Sequence, residues 1–178
     1  MALLSWQDNH PEADEYDAYY QDYLELLDTD NIIQTLTTQG QKMFVLIQNL
    51  SPEEAAYRYA DGKWSVKEVI GHLIDTERVM AYRAMCISRG DQTSLPGFDQ
   101  DAYVDNGHFS ERSLQNISAE YDAQRNANIS MFNGFTEEQI LKQGTANGVD
   151  VSVRALAHII AGHELHHLNI LRERYEIE

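Results

Sequence analysis

Four stretches of about twenty residues repeat apolar side chains at the ~100° per residue of an α-helix, and no long run shows the alternation of a half-buried strand. The first covers residues 30–49, "DNIIQTLTTQGQKMFVLIQN", the second 65–89, the third 110–133 and the fourth 151–175. Ser65 followed by Glu68 is a capping box that opens the second. Arg172 and Arg174 place positive charge where the fourth ends. "SPEE" at Ser51 and "TEEQ" at Thr136 mark two further short helix starts. The pattern predicts an all-α fold, a four-helix bundle. Residues 90–109, "GDQTSLPGFDQDAYVDNGHF", form a long link between helices two and three. Twenty extended residues reach ~65 Å, whereas a 24-residue helix is only ~36 Å long. The link therefore permits helices two and three to lie parallel, joined by a crossover.

At 178 residues the chain suits one domain spanning 1–178. Its 13 Lys and Arg stand against 29 Asp and Glu, a net charge of −16. Residues 1–30 hold nine acidic side chains and no Lys or Arg, so 1–29 reads as an acidic leader. Its Tyr16, Tyr19, Tyr20 and Tyr23 can pack on the bundle or on a partner. Such a surface repels phosphate backbones and anionic headgroups, which argues against nucleic-acid and membrane-surface partners. No apolar run approaches the ~18 residues of a membrane span, and the first residues lack the basic start of a signal peptide. Cys86 is the only cysteine, so an internal disulfide is excluded. It reads as a small buried apolar thiol. The expectation is a cytoplasmic protein.

Near the end, "GHELHHLNILRERY" (162–175) gathers His163, His166 and His167, and His163–Glu164–His167 spells HExxH. With His163 at 0° on a helical wheel, His167 falls at ~40°, between Leu156 at ~20° and Ile160 at ~60°. Both histidines thus face the core. His166, at ~−60°, lies on the shoulder of the stripe, and His158, at ~220°, on the outer face. Burying two imidazoles one turn apart without partners is costly, whereas i, i+4 spacing lets two ring nitrogens converge on one ion.

A zinc-peptidase helix needs a third ligand that this chain does not supply downstream. Only 11 residues follow His167, and Ile170 and Glu173 stand where the extended HExxHxxGxxH motif needs Gly and His. Among upstream histidines, His72 alone lies on a helix beside an apolar stripe, formed by Val66, Val69, Leu73, Met80, Ala84 and Ile87. His10 and His108 lie in the leader and the link. Thr76 and Arg83 follow His72 along one line of helix two.

"KWSVKEVIGHLIDTERVMAYRA" (63–84), "LPGFDQDAYV" (95–104) and "GTANGVDVSVRALAHIIAGHELHHLNILRERY" (144–175) together resemble the DinB/YfiT-like superfamily of metal-dependent four-helix bundles. The resemblance covers nearly all the chain beyond the leader. It implies an up-down-down-up bundle with a long helix 2–3 crossover, and a divalent ion on three histidines, here His72, His163 and His167. It also implies a homodimer. Characterised relatives include enzymes that use low-molecular-weight thiols, such as bacillithiol S-transferases and mycothiol-dependent maleylpyruvate isomerases.

Three imidazoles suit zinc or nickel, and also copper or iron. The expected activity is transfer of a low-molecular-weight thiol to an electrophile, or hydrolysis of a small substrate. The rivals are a non-catalytic metal-binding dimeric module and an HExxH-type metallohydrolase. Three residues could support the ligands without touching the ion: Glu77, Glu164 and Arg83. Glu77 could orient a ligand imidazole or form an ion pair with an arginine. Glu164, ~100° round from His163, could equally be a solvated carboxylate or a dimer contact. Phe98, Asp99 and Tyr103, on the link, are candidates for the wall of a substrate pocket, with a rigid crossover held by Pro96 as the alternative.

Overall fold

A computed structural model describes residues 6–177. Four long helices dominate it: α2 (Ile32–Asn49), α4 (Val66–Ser88), α6 (Leu114–Asn133) and α8 (Val153–Tyr175). Shorter helices fill the connections: α1 (Gln21–Glu25), α3 (Pro52–Ala56), α5 (Gln100–Gly107) and α7 (Glu137–Ile140). Each long helix begins at a side-chain cap that accepts from an otherwise unpaired backbone N–H: Asn31, Ser65, Ser113 and Ser152 respectively. Ser65 and Glu68 form the reciprocal capping box read from the sequence, and Ser51 and Thr136 cap α3 and α7 in the same way. The third long helix starts at the Ser113 cap, three residues later than the periodicity suggests, because a 3₁₀ turn occupies Phe109–Glu111.

Side-chain pairings establish the helix directions. Tyr175 donates to the Trp64 carbonyl at 2.7 Å while His163 meets His72, so α8 runs antiparallel to α4. Lys67 donates to the Arg112 carbonyl near the start of both α4 and α6, and Asn128 donates to Glu77 further along both. Helices α4 and α6 are therefore parallel, and the bundle is up-down-down-up. The crossover between them is not an extended strap. It folds into α5, which Asp99 opens by accepting from Asp101 N and Ala102 N.

A small hairpin interrupts the helical pattern. Strands β1 (Gln143–Ala146) and β2 (Val149–Ser152) pair antiparallel, with Ala146 opposite Val149. Asn147 (φ 54°) and Gly148 (φ 79°) make the turn in the left-handed region that Asn-Gly favours. The hairpin anchors the crossover, since Leu95 N donates to Thr145 O and Asn147 N to Leu95 O, both at 2.9 Å.

Two apolar clusters stack along the bundle. One gathers Leu36, Met80, Phe132 and Leu156; the other Met43, Ile70, Ile117 and Leu171. The segments between them contribute a buried polar layer, which includes Gln39, Thr76, Glu77, Arg125, His163 and Glu164. Described residues of the leader close over α8. Trp6 is buried and donates through Nε1 to Phe132 O at 3.2 Å. The Glu15 carboxylate accepts from Ser152 Oγ at 2.6 Å and pairs with Arg154. Gly162 allows α1 to lie directly on α8: an added Cβ there would stand 2.2 Å from Tyr23 O.

Candidate metal centre

His72 on α4 and the one-turn pair His163 and His167 on α8 bring one nitrogen each within 4.8 Å of one another. His72 Nε2 lies 3.0 Å from His163 Nε2. Two nitrogens bound to one ion at ~2.1 Å, at angles between a right angle and the tetrahedral one, stand ~3.0–3.4 Å apart. The spacing fits a shared ion. Burial pushes the imidazole of His72 down to about 4. Burial, helped by repulsion from His72 and His166, brings His167 to about 3. His163 is also held well below its usual value, by burial first and by the other histidines second. All three rings are therefore neutral near pH 7, the form that ligates a metal. Thr76 Oγ1, 3.4 Å from His72 Nδ1, steadies that ring from behind. His167 Nδ1 is buried with no hydrogen-bond partner among the described residues, an orphaned nitrogen on one of the three converging residues. The donor set fits a divalent cation.

Of the other two histidines of α8, His166 keeps the shoulder position that the wheel gives it and His158 does not. His166 is half-buried against Tyr23, their rings 5.2 Å apart, and is outside the group of converging nitrogens. His158 is not at the surface. It is buried, its Nδ1 is 2.8 Å from Arg154 O, and its ring packs against His10 of the leader at 5.6 Å. The outer face of α8 is covered, so the wheel's outer position is an interior one.

Glu77 takes the ion pair with an arginine, one of the two roles open to it, and Glu164 is not a solvated carboxylate. Both are buried and share Arg125: Nη2 donates to Glu77 Oε2 at 2.8 Å and to Glu164 Oε2 at 2.6 Å. Tyr121 donates to Glu164 Oε2 at 2.6 Å, Asn128 donates to Glu77 Oε1 at 3.0 Å, and Arg125 Nη1 donates to Leu36 O at 2.9 Å. Glu164 is thus neither solvated nor free to act as the base of a zinc peptidase, and Glu77 is an ion-pair partner with no recorded contact to an imidazole. Burial works against the Arg125 charge, and the two carboxylates outweigh it, raising the group well above its usual value. Two carboxylates against one guanidinium leave one net negative charge beside the histidines, a field that favours a cation. Arg125 and Tyr121 escaped the sequence argument. Their signal was an arginine and a tyrosine four residues apart on a helix whose other charges face solvent.

An open cavity of about 330 Å³ adjoins the cluster and is lined by His72, His163, Arg83, Tyr20, Tyr23 and Phe98 among others. Of the link residues proposed as its wall, Phe98 lines it, whereas Asp99 caps α5 and Tyr103 stacks on Phe98 from outside at 5.1 Å with its own ring exposed. Arg83 is buried, donating to Pro96 O at 2.7 Å. Cys86 is buried, belongs to the apolar cluster around Met80 and Leu156, and is not among the converging ligands.

A four-helix bundle with parallel middle helices and three histidines converging at its polar layer defines a class of metal-centre bundles. The family model described as the DinB superfamily matches residues 35–171 of the chain, and the chain belongs to that superfamily. It is 23% identical over 141 residues to a protein of Oceanobacillus iheyensis named "putative metal-dependent hydrolase", covering 76% of this chain and 79% of that one. Its fold is similar to that of YfiT from Bacillus subtilis, with a TM-score of 0.71 and 14% identity over 96% of this chain and 95% of that one. The YfiT structure is described as that of "a probable metal-dependent hydrolase with an unusual four-helix bundle topology". The crystal structure of a DinB-like protein, YjoA from Bacillus subtilis, matches with a TM-score of 0.58 and 21% identity over 82% of this chain and 89% of that one.

Proposed function

We propose that this protein is a metal-dependent enzyme acting on a small molecule, with His72, His163 and His167 holding one divalent ion, zinc or nickel. The observation that carries the proposal is the cavity. Two of the three histidines form part of its wall, so a substrate can reach the position the nitrogens surround. A buried structural site would be closed. A divalent ion there supplies Lewis acidity, which makes a water or a thiol a nucleophile at neutral pH.

The chain's own groups do the rest. The neutral imidazoles hold the ion, and Thr76 limits rotation of His72. Burial first, and the neighbouring Tyr19 hydroxyl second, raise the Tyr23 phenol above its usual value. It therefore stays protonated and can donate a hydrogen bond to a substrate oxygen. Phe98 and the leader tyrosines Tyr19, Tyr20 and Tyr23 give the cavity an aromatic lining against which a small substrate can pack. Neither Glu77 nor Glu164 is available as a base, because Arg125 holds both. Hydrolysis is the primary reaction; transfer of a low-molecular-weight thiol to an electrophile uses the same centre with a different nucleophile.

Elemental analysis of protein purified without a nickel column should give one divalent ion per chain. Ester and amide substrates, and electrophiles paired with several thiols, should then yield product that disappears on chelation and returns with metal. A loaded protein that turns over none of them would favour the non-catalytic module. We also propose a cytoplasmic homodimer, for which exposed Tyr82 and Met85 on α4 offer apolar surface. Sedimentation should report twice the 20.4 kDa chain mass; a monomer at micromolar concentration would rule it out.

A further inference from the structure

Arg83 is a buried cation without a matching anion. It is 3% exposed, and none of the ion pairs among the described residues includes it. Its hydrogen bonds are Nη2 to Pro96 O at 2.7 Å, Nη1 to Met80 Sδ at 3.4 Å, a weak acceptor, and one to the neutral hydroxyl of Tyr20. Its Nε has no partner among the described residues. A guanidinium carries five N–H donors, and leaving a buried charge unpaired is costly. The other buried arginine shows the contrast: Arg125 satisfies its donors with two carboxylates and a carbonyl. The half-buried Arg154 likewise pairs with a carboxylate, that of Glu15. Arg83 lines the same cavity as His72 and His163, and Tyr20 lies beside it.

We propose that Arg83 is the seat of a carboxylate on the substrate, so that the cavity selects small carboxylic acids. This rests on the cavity's being the substrate site, as argued above, but not on turnover. Arg83 follows His72 by 11 residues, ~16 Å along the helix axis, and side chains on a helix lean towards its N-terminus. The guanidinium therefore reaches back along the cavity towards the histidines. A substrate held by its carboxylate at Arg83 presents its other end to the metal centre. The planar fork of the guanidinium matches a carboxylate. A single negative charge also suits a chain of net charge −16 better than a phosphate dianion, which the overall field repels more strongly.

The test is a titration of the metal-loaded protein with benzoate, benzamide and inorganic phosphate, repeated on metal-stripped wild type, Arg83→Gln and Arg83→Lys. Benzoate should bind at least tenfold more tightly than benzamide, with or without metal. Arg83→Gln should abolish the preference while metal content stays unchanged, and Arg83→Lys should keep part of it. Equal binding of benzoate and benzamide would overturn the proposal. So would a preference that disappears on stripping the metal, since it would then belong to the ion, or one that survives intact in Arg83→Gln. Phosphate binding more tightly than benzoate would overturn the assignment to carboxylates. If Arg83→Gln does not fold, the wild-type pair with and without metal and the lysine variant still decide. A protein that shows the preference yet turns nothing over would leave this site standing and remove only the enzymatic role.

Discussion

His72, His163 and His167 are one turn or one helix apart, and the proposed site needs all three. Replacing any one with Ala leaves two imidazoles, so stoichiometric metal should be lost in elemental analysis, while His166→Ala should retain it. His158→Ala should also retain it, but with a lowered melting temperature, because the ring is buried under the leader. The converging triad was legible in the sequence, since a wheel reads which side chains share the stripe that meets the other long helices. His158 was not, because a wheel assigns the opposite face to water and cannot know that another segment lies there. The small residues Ala157, Ala161 and Gly162 were the available sign of a close neighbour. Arg125 poses the sharpest residue-level test. Arg125→Met leaves Glu77 and Glu164 buried without their cation, which should cost about 3–5 kcal/mol in a denaturant titration. Restoring neutrality with Glu77→Gln and Glu164→Gln in the same chain should recover part of that loss.

At the scale of elements, the contact between α1 and α8 depends on Gly162. The Cβ of alanine would meet the Tyr23 carbonyl carbon as well as its oxygen, at 2.7 and 2.2 Å, so α1 must move away. Gly162→Ala should therefore leave helix content by circular dichroism near wild type. It should increase proteolysis within residues 6–29, and expose tyrosine to solvent in fluorescence. The four long helices were readable from their period, supported at Ser65 by its capping box, while the third, capped by Ser113, starts later than its period suggests. Helix α5 and the β1–β2 hairpin were not read. The first is only eight residues long and has a single buried residue, Val104, too little to reveal a period. The second announced itself only in Asn147–Gly148, a two-residue turn signal within a segment that otherwise reads as an approach to a helix.

For the whole molecule, pH connects the parts. Unfolded imidazoles take up protons near 6.5, but the folded chain resists until about 4 at both His72 and His158, where burial is the main cause. Between those values protons favour the unfolded state. Stability should therefore be level above pH 6.5 and fall steadily towards pH 4, as thermal melts across that range would show. Because His72 and His167 resist protonation until about 4 and about 3, metal content should hold through most of that interval and fall only as pH approaches 4. Chelator-treated protein should melt lower wherever metal is still bound.

The superfamily match begins at residue 35, yet Tyr19, Tyr20 and Tyr23 stand in the wall of the cavity. On the proposed reading, metal and substrate meet different lengths of chain, the first the shared bundle and the second partly a leader outside the matched region. Changes of specificity can accumulate in those opening residues while the histidines stay as they are. In evolutionary terms the bundle is the tool holder and the leader part of the interchangeable jaw.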